Sequence, residues 1–261
     1  MSRLWCFVRG GWRLFAMLTV IAWSMANYGL DRRNRRDALS KALWLQRVCR
    51  RVLRVLAVSV ESRGEPAHGA VIVSNHLSYM DILILAATAT VVFVSKKEVR
   101  DWPLFGWFAE KAGTRFIDRN KRGDVRRIAE EIGPVMLADL TVVLFLEGTT
   151  TDGRSVLPFK PSLLEPAVIQ GWKIVPAALG YIVPAGRSME REICWWGDMT
   201  LLPHLLNFTT LPWVRATVSW GRPVLASKDR KILAEELHGH VVELKVGVDG
   251  SGADGAGVYQ A

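Results

Sequence analysis

From residue 70 onward, short β-rich runs alternate with helical segments, and this alternation limits the chain to few architectures. The predicted strands are rich in Val, Ile and Phe and span residues 70–74, 91–95, 114–118, 142–146, 174–179 and 216–220. The predicted helices span residues 81–89, 103–112, 124–138, 162–170 and 228–246. Strands that alternate with helices predict an α/β fold, in which a mostly parallel mixed sheet is flanked by helices on its faces.

Two segments interrupt this pattern. Gly133 and Pro134 are expected to break the helix over residues 124–138, because proline lacks the backbone donor that a helix interior needs. Residues 197–212 are apolar and are expected to be irregular. We find no internal repeat and no second domain in the sequence.

The positive charge of the chain lies in its first sixty residues. Residues 1–60 contain twelve Lys and Arg against two Asp, a net charge of +10, whereas the remaining residues carry a net charge of −1. Nucleic-acid-binding proteins usually spread basic residues over a folded face. Here the arginines flank apolar segments, which indicates an anionic bilayer surface as the partner rather than nucleic acid.

Residues 14–30 contain no charged side chain. As a helix this run would be about 25 Å long, slightly shorter than the hydrocarbon core of a bilayer. Arginines follow it at positions 32, 33, 35 and 36, and this cluster favours a body on the cytoplasmic face of the inner cell membrane. A cleaved signal peptide is the alternative, although the arginine cluster would hinder export.

Residues 42–60 form a second candidate membrane segment. Leu45, Val48, Val52 and Val55 recur at helical spacing, with arginines on another face. This pattern is typical of a basic amphipathic helix that lies among lipid headgroups. The alternative is an ordinary core helix packed on the body, and we favour the membrane interpretation.

The predicted domain organisation follows from these segments. Residues 1–60 form a membrane-anchoring helical segment, residues 61–247 form the body, and residues 248–261, rich in Gly and Ala, form a disordered tail. With 50% apolar and 23% charged residues, the chain is neither disordered nor a polytopic membrane protein. Its three cysteines lack metal or disulfide spacing, which suits a reducing compartment.

The segment NHLSYMD, residues 75–81, directly follows the first of the predicted strands. His76 suits a general base near neutral pH, and Asp81 suits a partner that fixes its tautomer. Five positions apart on one helix, the two side chains would not share a face, so a turn must bring them together. Ser78 and Asp81 also match a capping-box pattern, which is compatible with that turn.

Three other segments accompany this one. GTRFIDR, residues 113–119, places Arg115 and Arg119 about a strand, within reach of a phosphate. FLEGTTTDG, residues 145–153, places Glu147 at the carboxyl end of another strand, where ligands bind in open α/β sheets. IVPAALGY, residues 174–181, is a further strand.

With these segments the chain resembles the lysophosphatidic acid (1-acyl-sn-glycerol-3-phosphate) acyltransferases of the glycerolipid acyltransferase superfamily, which are known by four ordered blocks. The matching residues are His76 and Asp81, then Gly113, Phe116, Ile117 and Arg119, then Phe145, Glu147, Gly148 and Thr149, and last Val175 and Pro176. The resemblance covers roughly residues 40–225. It implies the glycerolipid acyltransferase fold for the body.

The resemblance also implies a reaction. A fatty acyl group would move from acyl-CoA or acyl carrier protein to the free hydroxyl of a lysolipid, with 1-acyl-sn-glycerol-3-phosphate as the first expectation for the acceptor. His76 and Asp81 would be the catalytic pair. The implied substrate-binding residues are Arg115, Arg119, Glu147, Gly148 and Thr149. No metal and no cofactor is expected, because a thioester is already activated.

The third block departs from the family's common F-P-E-G-T-R pattern. Leu146 replaces the proline, and Thr150 replaces an arginine that is expected to help hold the acceptor's phosphate. The residues that follow resemble the branch that includes lyso-ornithine lipid acyltransferases, whose acceptor lacks a glycerol phosphate. Arg154 or Lys160 is the alternative source of the missing charge.

Two other functions remain open at this point. A non-catalytic lipid-binding or membrane-remodelling protein could use the same fold, although such a protein would have no reason to keep His76, Asp81 and Glu147 together. A serine hydrolase acting on lipids would need a G-x-S-x-G motif, which the sequence lacks. A covalent acyl-enzyme is disfavoured for the same reason.

Overall fold

The computed structural model describes residues 3–66, 68–118, 122–226 and 229–250. Its α-helices are α1 (Arg3–Leu30), α2 (Ala38–Val55), α3 (Met80–Thr88), α4 (Phe105–Lys111), α5 (Arg122–Leu137), α6 (Glu165–Gln170), α7 (Met189–Glu192), α8 (Leu201–Thr209) and α9 (Arg230–Gly250). Its strands are β1 (Val58–Arg63), β2 (Val71–Ser74), β3 (Val91–Lys96), β4 (Arg115–Ile117), β5 (Thr141–Leu144), β6 (Lys173–Ile182), β7 (Val214–Trp220) and β8 (Val224–Leu225). Short 3₁₀ turns span Arg32–Arg35, Lys97–Asp101 and Pro161–Leu164.

The strands form one mixed sheet in the order β1-β7-β6-β2-β5-β3-β4, with β8 beside β6. All pairs from β6 through β2, β5 and β3 to β4 are parallel. The β6–β7 and β6–β8 pairs are antiparallel, and β1 runs parallel to β7. The predicted α/β fold with a mostly parallel mixed sheet is confirmed.

Alternate residues of the central strands point to two separate hydrophobic layers, as the pleat requires. Ile72 and Val143 belong to the layer covered by α2, α3 and α8, whereas Val71, Val73 and Val142 belong to the layer covered by α5 and α9. Because both faces are covered, three consecutive residues of β2 and of β5 are apolar. The core therefore holds the strand ends of β2, β5 and β6 in fixed positions.

Helix α2 is a core helix, and the prediction that it lies among lipid headgroups is wrong. Leu45, Val48 and Val52 are buried in the layer that also contains the side chains of α3. The Arg50 Nε donates a hydrogen bond to the Ala87 carbonyl near the end of α3, at 2.9 Å. The apolar face that suggested a membrane surface therefore finds its partner in the body itself.

The helix predicted over residues 42–60 also ends earlier than expected. It stops at Val55, Ala57 takes a positive φ of 53°, and Val58–Arg63 forms the edge strand β1 beside β7. The domain boundary that we placed after residue 60 falls inside this strand. Residues 38–63 consequently contribute a helix and a strand to the body.

Two helices persist where the sequence suggested breaks. Helix α5 continues through Pro134 to Leu137. Pro134 has no N–H to donate to the backbone carbonyl of Glu130, but Glu130 is exposed, so water can bind this carbonyl. Residues 201–209, predicted to be irregular, form α8. The helix tolerates Pro203 because this residue lies in the first turn, where backbone N–H groups have no acceptor within the helix.

The last helix, α9, extends the predicted one to Gly250, and Val248 is buried. The first residues of the predicted disordered tail are therefore helical. The rest of that tail, residues 251–261, lies outside the described residues.

Helix α1 starts eleven residues before the predicted apolar run and packs on α2 and α8. Arg13 donates to the carbonyls of Leu211 and Pro212, the latter at 3.0 Å, and Arg9 donates to the carbonyl of Thr210. These carbonyls follow the C-terminal end of α8, where cationic groups are favoured. In the described ranges one helix, Leu4–Leu30 of α1, is long and apolar enough to cross a membrane by length and composition.

Candidate active site

The candidate site lies at the carboxyl ends of three adjacent parallel strands. Strand β2 leads into residues 75–81, β5 leads into residues 145–151, and β6 lies beside β2 on the side opposite to β5. Asn75 joins β2 to β6, since its side chain accepts from the Leu179 N–H at 2.8 Å and donates to the Leu179 carbonyl at 3.0 Å. The carboxyl edge of such a sheet is where α/β proteins bind ligands.

The structure brings His76 and Asp81 together through a turn. The His76 Nδ1 lies 2.8 Å from the Asp81 Oδ2, and that oxygen also accepts the N–H groups of Leu77 at 2.6 Å and Ser78 at 2.9 Å. An ionised carboxylate can only accept, so the Nδ1 carries the proton and the Nε2 keeps a lone pair. The Asp81 side chain is fully buried, whereas 16% of the His76 side chain is exposed.

The capping-box pattern of Ser78 and Asp81 is only half present in the structure. Asp81 accepts the Ser78 N–H as a capping-box acid would, but the buried Ser78 Oγ has no hydrogen-bond partner among the described residues. The N-cap of α3, Tyr79, makes no side-chain capping bond. The Asp81 carboxylate therefore accepts hydrogen bonds from the turn that contains His76.

The sequence analysis missed Tyr181. Its hydroxyl donates to the second carboxylate oxygen of Asp81, Oδ1, from the far end of β6. Burial, first of all, and the charge of Asp81 raise the pKa of Tyr181 well above its usual value. Its only sequence signal is its position at the end of the segment IVPAALGY, five residues after Pro176.

Glu147 holds the backbone of the site. Its Oε1 accepts the His76 N–H at 2.6 Å, and its Oε2 accepts the Leu157 N–H at 2.8 Å. Burial raises the pKa of Glu147 to about 7, although the two N–H donors act in the opposite direction. Each carboxylate oxygen thus binds a backbone donor, and Glu147 ties the His76 loop to the loop before Phe159.

We expect this titration to appear in the stability of the protein. The folded state binds a proton at Glu147 up to about pH 7, whereas an unfolded glutamate releases it near its usual pKa of 4.5. The free energy of unfolding therefore falls as the pH rises through this window. Between pH 4.5 and 7.5, wild type should lose about 3 kcal/mol relative to Glu147→Gln, measured by denaturation in detergent.

The exposed Glu236 on α9 supplies the matched control, because Glu236→Gln removes the same charge at the surface. Its pH dependence should follow that of wild type. If Glu147→Gln and wild type also ran parallel, Glu147 would titrate as an ordinary carboxylate.

The remaining residues of the third block shape the wall beside His76. The ring of Phe145 stacks on the imidazole, with centroids 3.8 Å apart and planes 11° apart. Gly148 has a φ of 75°, a conformation that favours glycine. Thr149 is exposed next to it, and the Thr151 N–H donates to the His76 carbonyl at 3.0 Å.

Two of the arginines that the sequence analysis considered for anion binding, Arg115 and Arg154, pair with carboxylates in the structure. The Arg115 Nε faces Glu131 of α5 at 3.5 Å. Arg119 lies outside the described residues. Arg154 is exposed and pairs with Glu190 at 3.0 Å and with Asp152 at 3.4 Å.

Cys194 is a buried thiol whose pKa is raised to about 12 by burial and by the charge of Asp81. It is therefore a poor nucleophile near neutral pH. Among the residues that the structure describes, no group of three His, Cys, Asp or Glu side chains could hold a metal ion. The arrangement can thus supply a base at the His76 Nε2, with a buried counter-charge behind it.

A buried aspartate thus holds a histidine at the carboxyl edge of this α/β sheet, an arrangement that suits proton transfer to or from a substrate. The acyltransferase family model matches residues 54–180, and the chain belongs to this family. The family assignment from the four sequence blocks is confirmed, and the chain is an acyltransferase.

Curated relatives refine the comparison. The lyso-ornithine lipid O-acyltransferase of Brucella abortus is 36% identical over 73% of this chain and 77% of its own length. The enzyme of the same name from Rhizobium meliloti is 32% identical over 75% of this chain and 77% of its own length. The 1-acyl-sn-glycerol-3-phosphate acyltransferase of Neisseria meningitidis is 34% identical over 54% of this chain and 57% of its own length.

A solved structure shows the same fold. The 1-acyl-sn-glycerophosphate acyltransferase PlsC from Thermotoga maritima superimposes with a TM-score of 0.71 over 98% of this chain and 100% of its own. The two sequences are 20% identical, so this likeness concerns the architecture.

Proposed function

We propose that the chain transfers a fatty acyl group from a thioester to the free hydroxyl of a lysolipid. The observation that carries the proposal is the His76–Asp81 pair, with Nδ1 engaged at 2.8 Å and Nε2 left as a base. The names of the relatives, which are lysolipid acyltransferases, support this acceptor class.

In the proposed reaction the His76 Nε2 takes the proton of the acceptor hydroxyl, and the oxygen of that hydroxyl attacks the thioester carbonyl carbon. The negative charge of Asp81 stabilises the imidazolium that forms. The tetrahedral intermediate then collapses, the carbon–sulfur bond breaks, and the imidazolium returns the proton to the leaving thiolate. The products are an acylated lipid and free CoA or acyl carrier protein, and His76 is restored.

We further propose a lyso-ornithine lipid as the preferred acceptor, ahead of 1-acyl-sn-glycerol-3-phosphate. A phosphomonoester favours a cluster of arginines. Thr150 is uncharged where the family often has an arginine, and Arg154 is already paired with two carboxylates. The relatives from Brucella and Rhizobium, each covered over more than two thirds of its length, act on lyso-ornithine lipid by name.

The test is acyl transfer by the purified full chain with a panel of lysolipids, each offered with acyl-CoA and with acyl carrier protein thioester. Mass spectrometry should detect one added acyl chain, and kcat/KM should be higher for lyso-ornithine lipid than for 1-acyl-sn-glycerol-3-phosphate. A higher value for the phosphate acceptor would reverse the acceptor choice. Transfer to no lysolipid would overturn the function.

We also propose that α1 attaches the enzyme to the membrane from the cytoplasmic side. Phe7, Trp12 and Phe15 are 73%, 66% and 63% exposed, and at 100° per residue they fall on one side of the helix. Arg9 and Arg13 lie on the other side, against α8. A helix with one side on the body and an apolar side in solvent fits a position within one leaflet.

Replacing Phe7, Trp12 and Phe15 together with Ser should weaken binding to anionic vesicles roughly 100-fold, because the apolar area that enters the bilayer is lost. The measurement is co-sedimentation of the purified protein with vesicles. Deleting residues 1–60 would be a poor test, because it also removes α2 and half of β1.

The matched control replaces three exposed apolar residues elsewhere, Leu137, Ile169 and Leu225, which are 90%, 67% and 76% exposed. This variant should bind vesicles as wild type does. Equal loss of binding in the two variants would contradict attachment through α1.

A further inference from the structure

The two carboxylate oxygens of Asp81 have different surroundings. Three N–H groups point to Oδ2, those of the His76 ring and of the Leu77 and Ser78 backbone. The other oxygen, Oδ1, has one hydrogen bond among the described residues, from the Tyr181 hydroxyl. All of these groups lie where water does not reach Asp81, whose side chain is fully buried.

Tyr181 is held firmly by its own strand. It pairs with Ala216 in the antiparallel ladder between β6 and β7, and only 8% of the residue is exposed. Burial and the charge of Asp81 raise the pKa of Tyr181 well above its usual value, so the hydroxyl remains a donor at any working pH. Tyr181 thus provides a rigid donor from β6, whereas His76 and Asp81 both lie in the segment that follows β2.

We propose that Tyr181 is a positioning residue that fixes the Asp81 carboxylate so that Oδ2 stays directed at His76. This inference rests on the proposed function, in which His76 is the base. Without the hydroxyl, Oδ1 would be a buried acceptor without a donor, a costly arrangement. The carboxylate would then turn to share its donors between both oxygens and would loosen its bond to the His76 Nδ1.

Tyr181→Phe tests the proposal, because it removes the hydroxyl and keeps the ring in the core. We expect kcat to fall roughly 10-fold, the factor that corresponds to about one hydrogen bond to a charged group, with the KM values for both substrates nearly unchanged. If Tyr181 served only the packing of the core, Tyr181→Phe would lower the melting temperature but leave the kcat of the folded enzyme as in wild type.

The matched control is Tyr79→Phe. The Tyr79 hydroxyl also makes one partly buried hydrogen bond, to the His204 Nδ1 at 3.0 Å, and Tyr79 lies three residues from His76 in the sequence. This variant loses a comparable hydroxyl from the same neighbourhood. Its kcat should remain within about twofold of wild type.

A second measurement needs no acyl transfer. In protein labelled with ¹⁵N at histidine, the Nδ1 proton resonance of His76 reports the hydrogen bond to Asp81. We expect this resonance to move or broaden in Tyr181→Phe and to keep its position in Tyr79→Phe. An unchanged His76 resonance in Tyr181→Phe would overturn the role of Tyr181. So would a kcat of Tyr181→Phe equal to that of an active wild type. If wild type transfers no acyl group, the proposed function fails, and the resonance alone decides on Tyr181.

Discussion

His76→Ala is expected to lower kcat for acyl transfer by about 10²- to 10⁴-fold, the usual contribution of a positioned base. The Nε2 of His76 is the basic atom of the pair, since the Nδ1 is engaged by Asp81 at 2.8 Å. The measurement is kcat at saturating donor and acceptor.

The fold should survive this substitution. Asp81 would keep three donors, the N–H groups of Leu77 and Ser78 and the hydroxyl of Tyr181, so its buried charge stays compensated. The His76 backbone N–H, which Glu147 accepts, is also retained in alanine. The melting temperature should therefore change by only a few degrees.

His238 offers a matched control, because it precedes Glu243 by the same five positions that separate His76 from Asp81. His238 lies on α9, and its Nε2 is 3.0 Å from the Val156 carbonyl. His238→Ala should retain near-wild-type kcat. Comparable activity in His76→Ala would refute the assignment of His76 as the base.

The central strands were predictable because their surroundings are simple. Residues 71–74 and 141–144 are buried on both faces, and the unbroken apolar runs 70–73 and 142–146 mark them in the sequence. The turn that joins His76 to Asp81 is likewise local, since both residues lie within seven positions after β2. Local patterns of this kind need no knowledge of the rest of the chain.

Helix α2 shows where local patterns fail. An apolar stripe on a basic helix suits a bilayer surface and a protein core equally well. Only its contact with α3, which includes the bond from Arg50 to Ala87, decides between the two. Arg115 is similar, because its pairing with Glu131 depends on how α5 packs beside β4.

Tyr181 illustrates the same limit at the site. It lies 100 positions from Asp81 in the sequence, and a tyrosine at the end of a buried strand is unremarkable by pattern. Its hydroxyl meets the carboxylate only because β6 lies next to β2 in the sheet. Side chains that act through tertiary contacts of this type leave little trace in a single sequence.

Asp81→Asn is expected to lower kcat by about 10²- to 10⁴-fold, with a smaller loss of stability than Asp81→Ala. An asparagine can keep its oxygen at the position of Oδ2, where it still accepts from Leu77 and Ser78, and can turn its amide group toward the Tyr181 hydroxyl. The hydrogen bonds from Leu77 and Ser78 survive and the Tyr181 hydroxyl changes from donor to acceptor, but the negative charge that stabilises the imidazolium of His76 is lost. The effect should therefore fall on the chemical step.

The contrast with Asp81→Ala separates charge from structure. Alanine leaves two backbone N–H groups and the Tyr181 hydroxyl buried without an acceptor, at a cost of about 1–3 kcal/mol for each group. We expect Asp81→Ala to unfold at a clearly lower temperature than Asp81→Asn, while the two variants lose kcat to a similar extent. KM for both substrates should stay close to wild type in Asp81→Asn, because the Asp81 side chain is fully buried and cannot touch them. A change confined to KM, or a kcat near that of wild type, would show that the charge of Asp81 does not act through His76.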